Sequence, residues 1–212
     1  MKTRGSLIVL SGFAGVGKGT VLKSLFETND GYAYSVSATT RDPRPGEVDG
    51  VHYFFISKER FEEMIRGDEL LEYASYVGNY YGTPKEYVDR RLEEGFDVIL
   101  EIEVQGALKI KKKVPDAVLI YMLPPSAKTL KDRLTGRGTE TEDVIRKRLR
   151  RAAEEAVGAE EYDYIIVNDD VDECAQQLNG LIRSQRLRTN RNLEFMRAMQ
   201  KDLINLTQEG EQ

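Results

Sequence analysis

The chain has one cysteine, Cys174, and one histidine, His52, among 212 residues. A single thiol excludes an intramolecular disulfide and suits a reducing compartment. One cysteine with one histidine leaves no ligand set for a structural zinc site. Long apolar runs are missing too, and no stretch approaches the roughly 20 residues of a membrane span. The opening MKTRGSLIVLSG sets basic residues before an apolar run, but LIVL is too short for a signal peptide. A cytoplasmic protein with no membrane partner is expected. Positive charge is not in excess: 31 Lys and Arg stand against 36 Asp and Glu, for a formal net charge of −5. A general nucleic-acid binder carries a basic face, so no nucleic-acid partner is expected. Local basic clusters aimed at a small anion stay open.

What is present reads as a soluble α/β chain. Apolar runs at 7–10, 98–100, 118–123 and 164–167 are continuous rather than alternating. That pattern belongs to strands buried on both faces, as in a parallel sheet flanked by helices. Helical patterns fall at 104–113, 126–134 and 141–157, the last with Thr141 as N-cap. Residues 37–92 break this rhythm with Tyr, Gly, Arg and Pro, and with helices expected at 58–66 and 84–94. They read as an insertion beside the main sheet. A second excursion, LTGRGTETED at 134–143, is polar and glycine-bearing, as a mobile loop would be. Beyond Gln185 a charged helix is expected, with Leu187, Phe195, Met199, Leu203 and Leu206 roughly on one stripe. It would pack on the core or on a second subunit, so the assembly is a monomer or a homodimer.

Chemistry begins at GFAGVGKGT, residues 12–20, between the first strand and an amphipathic helix. Gly12, Gly15 and Gly17 let the backbone curl so that N–H groups from Val16 to Thr20 converge on phosphate oxygens, helped by the helix dipole. Lys18 would neutralise the β- and γ-phosphates. A plain glycine-rich turn is the alternative. Gly19 stands where a serine or threonine normally touches magnesium, and Thr20 comes one place late. This form resembles the P-loop of nucleoside monophosphate kinases. The resemblance implies ATP as co-substrate, Mg²⁺ held mainly through phosphates and water with no protein metal ligand, and a nucleotide monophosphate as acceptor.

In TTRDPRPGEVDGVHYFFI, residues 39–56, Arg41 and Arg44 are three apart, placed to converge on one dianion through bidentate hydrogen bonds. Glu47 is placed to orient them, and Tyr53 offers another donor. On composition alone the stretch reads equally as a solvated charged loop. Its spacing, T-T-R-x2-R-x2-E-x2-G-x2-Y-x-F-I, resembles the guanylate kinase family motif with each constrained position filled. The resemblance continues through ELLEYASYVGNYYGTP (69–84), LEIEVQGA (100–107), RLTGRGTETED (133–143) and IIVNDD (165–170).

The resemblance implies a division of the site. Arg41, Arg44, Tyr53 and Tyr81 match donors to the GMP phosphate, with Glu47 beside them. Ser37 and Thr83 match hydroxyls near guanine O6, and Glu72 and Glu103 match acids on the guanine side. Guanine shows two adjacent N–H donors that one carboxylate reads, and adenine there would leave a buried charge unpaired. Arg133, Arg137 and Arg148 match lid and core arginines that close over ATP, and Asn168 matches a position near adenine. Phosphoryl transfer needs mostly positioning and charge neutralisation, with the lid excluding water. The implied reaction passes the γ-phosphoryl group of ATP to GMP or dGMP. The implied organisation is a P-loop core at 1–36, 93–127 and 151–212, a GMP-binding insertion at 37–92 and a lid region at 128–150.

Two departures stand out. Phe13-Ala14 replaces the proline and serine of the family's usual loop. Glu103 stands where the family usually has aspartate, and its extra methylene moves the carboxylate by about 1.5 Å. A misplacement of that order costs about a hundredfold in rate, unless the swap is simply tolerated. Two alternatives stay open: a weak paralogue acting on another phosphate acceptor, and a guanylate-kinase-like module that binds a phosphorylated peptide. Lys18, Arg133 and Arg137 speak against the module, which has no need of ATP groups. Lys109, Lys111, Lys112 and Lys113 are expected as a solvated helix face, His52 as incidental and Cys174 as packing.

Overall fold

The continuity of the apolar runs is explained by the central sheet. The structure, a computed structural model, describes residues 4–136 and 141–209. β1 (Leu7–Gly12) leads into α1 (Lys18–Thr28) and β2 (Tyr32–Tyr34). Next come β3 (Ala38–Thr39), β4 (Phe54–Phe55), α2 (Lys58–Arg66), β5 (Leu70–Tyr76), β6 (Asn79–Pro84) and α3 (Lys85–Glu93). The chain returns through β7 (Asp97–Glu101), α4 (Val104–Lys113), β8 (Val118–Leu123), α5 (Ala127–Thr135) and α6 (Glu142–Ala156). After these follow β9 (Tyr164–Val167), α7 (Val171–Ser184) and α8 (Leu193–Glu209).

Strands β2, β7, β1, β8 and β9 lie side by side in that order, all parallel. Ile8 and Leu10 pack with Val21 and Leu25 of α1 and Leu178 and Ile182 of α7. Leu7 and Val9 belong to the other cluster, with Val88 and Leu92 of α3 and Ala107 and Ile110 of α4. Both parities of β1 are therefore shielded from water, so neither is polar. Burial of each such aliphatic side chain contributes about 1.5–3 kcal/mol. This is the α/β class expected. The strand order turns about β1, with β7 on one side and β8 on the other. Ligands of open parallel sheets bind outside the carboxyl ends of strands at such a switch point.

The smaller sheet runs β4-β3-β6-β5 and is antiparallel except for the β3–β4 pair. Its core is Ala38, Phe61, Met64 and Leu70, with Phe61 stacked on Tyr80 at 5.2 Å. α2 starts at Ser57, whose hydroxyl accepts from the Arg60 N–H at 3.2 Å, satisfying one orphan donor of the first turn.

Three expectations change. The lysine run of α4 is mostly paired. Lys113 reaches Asp68 at 2.8 Å and the Leu70 carbonyl at 3.0 Å, and Lys109 reaches the Tyr73 carbonyl at 3.2 Å. These two, four apart on one helix face, clasp the smaller sheet, while Lys111 holds Asp163 at 2.8 Å. Thr141 does take the N-cap position of α6, but its side chain makes no capping bond. The segment after Gln185 is not one helix. Two short 3₁₀ turns come first, and the Asn192 amide donates to the Arg186 and Arg188 carbonyls, both at 2.9 Å. Those bonds occupy carbonyls that a continuous helix would use, so Leu187 falls outside α8 and off its stripe.

Candidate active site

The glycine-rich loop runs from the carboxyl end of β1 into α1. Its glycines are not interchangeable. Gly17 has φ +98°, and a Cβ there would stand 2.6 Å from Asn168 Nδ2. Around Gly19 nothing lies within 4 Å of such a Cβ, and Gly19 is already helical. Gly17→Ala is expected to cost about 1–2 kcal/mol in the left-handed region alone. Gly19→Ala is expected to add about 0.5–1 kcal/mol by removing helix glycine entropy. Thermal unfolding of the two variants should therefore move the midpoint in opposite directions.

Lys18 Nζ donates to the Gly12 carbonyl at 2.8 Å and approaches Glu101 Oε1 at 3.9 Å. Burial lowers its pKa, with Glu101 opposing that shift. Sequence spacing points to Glu103, but the acid beside the loop is Glu101, which carries a legible signal of its own. It is an acid closing an apolar strand, and the β1–β7 register sets it opposite Leu10, two residues before the loop. The Tyr34 hydroxyl donates to it at 3.4 Å. Phe13 is wedged: its ring meets Tyr121 edge-on at 5.6 Å and packs on the Leu130, Leu134, Ile145 and Ala152 cluster. The departure at Phe13 thus joins the loop to α5 and α6.

On one side of the loop, Arg133 donates to the Val16 carbonyl at 3.2 Å and to the Asn168 carbonyl at 3.0 Å. The Asn168 amide donates to Val16 as well, at 2.8 Å. With Gly15, Gly17 and Thr20 they line a cavity of about 380 Å³. Arg148 lies half-buried on α6. Arg137 lies outside the described residues.

On the other side, Glu47 organises the arginine loop. Its carboxylate accepts two bonds of 2.9 Å from Arg41 and one of 2.6 Å from the Arg44 N–H. Arg41 lies over the Tyr53 and Phe55 rings at 5.5 and 5.7 Å, and Tyr53 meets Tyr81 at 6.1 Å. Arg41, Tyr53 and Tyr81 therefore form one cluster, with Arg44 exposed at its rim. The bonds from Arg41 and Arg44 hold the Glu47 carboxyl at about 2. Because that pKa is depressed in the folded state, its stabilisation is complete above the ordinary value of 4.5 and is lost as pH falls toward 2. Urea unfolding is expected to show wild type more stable than Glu47→Gln at neutral pH, with the gap closing across that window.

Between these groups lies a small cavity of about 80 Å³, lined by Ser37, Tyr53, Thr83, Glu101 and His52 among others. His52 is thus at the pocket, its Nδ1 accepting from the Val48 N–H at 3.0 Å. Deeper, Glu72 is buried and its Oε1 accepts from the Thr83 hydroxyl at 2.9 Å. Desolvation raises the Glu72 pKa. Gly106 of α4 lies close by, since a Cβ there would stand 3.1 Å from Glu72 Oε2. Glu103 is not brought to this pocket: its carboxylate accepts from Arg151 of α6 at 2.8 Å and is largely exposed.

The arrangement is a glycine-rich loop carrying Lys18 with a buried carboxylate pocket beside it, at the switch point of the sheet. The guanylate kinase family model matches residues 4–185. A guanylate kinase of Streptococcus thermophilus is 55% identical over 203 residues, covering 95% of this chain and 97% of that protein. One from Bacillus cereus is 53% identical, covering 94% and 98%. The crystal structure of guanylate kinase from Anaplasma phagocytophilum superposes with a TM-score of 0.71 at 33% identity, covering 92% of this chain and 94% of that one.

Proposed function

The chain belongs to the guanylate kinase family, and on that premise we propose how its residues divide the work. It is an ATP:GMP phosphotransferase, a nucleoside monophosphate kinase that makes ADP and GDP. In our reading the glycine loop and Lys18 hold the β- and γ-phosphates of ATP. Arg133, Asn168 and Thr20 wall the cavity for its base. Arg41, Arg44, Tyr53 and Tyr81 clamp the phosphate of GMP or dGMP, with Glu47 locking Arg41 in place. Ser37, Thr83 and Glu72 read guanine. Arg148 and Arg137 complete the charge around the transferring group.

The GMP phosphate is ionised near neutral pH and needs no general base, so positioning and neutralisation carry the rate. The residues present fit a magnesium ion carried in by the nucleotide. Among the described residues no group of three His, Cys, Asp or Glu would cage a metal. Glu101, 3.9 Å from the Lys18 ammonium, would offer a carboxylate oxygen beside the loop, with phosphates and water completing the octahedron that Mg²⁺ takes. When bound, the ion neutralises charge on the transferring phosphoryl group. Among the described residues no helix is long and apolar enough to cross a membrane. The lone cysteine, free and buried, suits the cytoplasm, which we take as the working compartment.

The buried Glu72–Thr83 pair carries the guanine assignment. A coupled assay with ATP against GMP, dGMP, AMP, UMP and sugar phosphates tests it. Turnover of GMP and dGMP alone is expected; turnover of another acceptor in their place, or of none, would overturn it.

A further inference from the structure

Two helices of the core meet beside the glycine-rich loop, and their meeting brings acids together. Glu101, at the end of β7, stands 3.9 Å from Lys18 Nζ. Next to it, the Ser11 hydroxyl donates to the Ile102 carbonyl at 2.7 Å, so the start of α4 is pinned to the end of β1. The other helix, α6, closes on this point. A Cβ at Gly158, just past its end, would stand 2.5 Å from Val104 Cγ1. Glu103 precedes Val104, and Glu155 lies three residues before Gly158. That close approach sets both carboxylates at one junction.

Arg151 answers both. Its Nε donates to Glu155 Oε1 at 2.9 Å and its Nη2 to Glu103 Oε1 at 2.8 Å. Glu155 is four residues away on the same helix face, whereas Glu103 comes from across the junction. The three side chains leave a net charge of −1 where the two acids alone would carry −2. With Lys147 and Arg150 they line a cavity of about 480 Å³. Arg148, assigned above to the transferring group, lies three residues before Arg151 on that face of α6.

The charge at this junction is felt at the loop. Burial lowers the Lys18 pKa, and the opposing effects come from Glu101, Glu155 and Glu103, in that order. Acids close enough to act on Lys18 are close enough to repel the phosphates it would meet. That repulsion grows as water leaves the cleft. A partly exposed ion pair contributes little to stability, so holding the fold is a weak reason for the bridge.

We propose that Arg151 is a positioning residue of the phosphoryl transfer, holding Glu103 and Glu155 turned onto itself and cancelling charge that would otherwise face the ATP phosphates. This rests on the reading that Lys18 meets those phosphates, which Lys18→Met tests on its own. Arg151→Met is expected to lower kcat/KM for ATP about tenfold, with a defect that shrinks as salt is raised. The unfolding midpoint should barely move. Adding Glu103→Gln returns the junction to a net charge of −1, and should bring kcat/KM back to within about threefold of wild type. Arg150→Met removes a neighbouring exposed charge from the same cavity wall, and should change kcat/KM by about twofold or less. Three results would overturn the proposal: an Arg151→Met variant as active as wild type, an equal loss in Arg150→Met, or a double variant as impaired as the single one. The last would mean that Arg151 touches substrate itself. Full activity in Lys18→Met would instead remove the reading on which the proposal rests.

Discussion

Glu72→Gln is expected to lower kcat/KM for GMP by about a thousandfold or more, while leaving the KM for ATP nearly unchanged. The size follows from what replaces the contact. A carboxylate accepts from both donors on the guanine edge, whereas the amide presents an N–H to one of them, leaving buried polar groups mismatched. The fold should not suffer. Glu72 is buried, and desolvation raises its pKa, so its charge opposes folding near neutral pH. Glutamine keeps an oxygen for the Thr83 hydroxyl, so the unfolding midpoint is expected to hold or rise. The same shift has a pH consequence. As pH falls, binding of GMP should begin to weaken while the pH is still above the ordinary carboxylate value of 4.5, because Glu72 takes up its proton earlier than a free carboxylate, and Glu72→Gln should lack that dependence. An unchanged GMP-over-AMP preference in the variant would remove Glu72 from guanine recognition.

Lys18→Met should be comparably severe on the other half of the reaction. Methionine keeps the apolar stem but deletes the charge set against the β- and γ-phosphates. A fall of about a thousandfold in kcat is expected, in line with the loss of a preorganised group facing developing charge. GMP affinity, measured calorimetrically without ATP, should change little, because the arginine clamp is built on a different segment. Lys18 is mostly buried, and desolvation lowers its pKa, so its ammonium costs stability at neutral pH. Removing it is expected to leave the protein as stable or more so. Loss of GMP affinity equal to the loss of rate would mean that Lys18 organises the whole cleft.

Phe13 gives the first departure from the family's usual loop a structural role, for its ring fills the gap between the loop and the α5–α6 cluster. Glu103 is different. Its longer side chain reaches Arg151 on α6 rather than the Glu72 pocket, so its extra methylene links α4 to α6.

What depends on neighbours along the chain is legible in the residues alone. Continuous apolar runs announced strands covered on both faces, and the glycines around Lys18 announced the turn from β1 into α1. The spacing of Arg41, Arg44, Glu47 and Tyr53 put one carboxylate within reach of both arginines, because a short loop limits where they go. Which charges meet across long separations depends on how the elements pack. Glu101 faces Lys18 because β7 pairs with β1 in one register. Arg133 turns to the Val16 carbonyl, and the lysines of α4 reach Asp68 and Asp163. Hydrophobic period reports which face of an element avoids water; what covers that face, and which charge stands opposite, depends on how elements pack. At α8 the period is plain, and among the described residues nothing covers its apolar face.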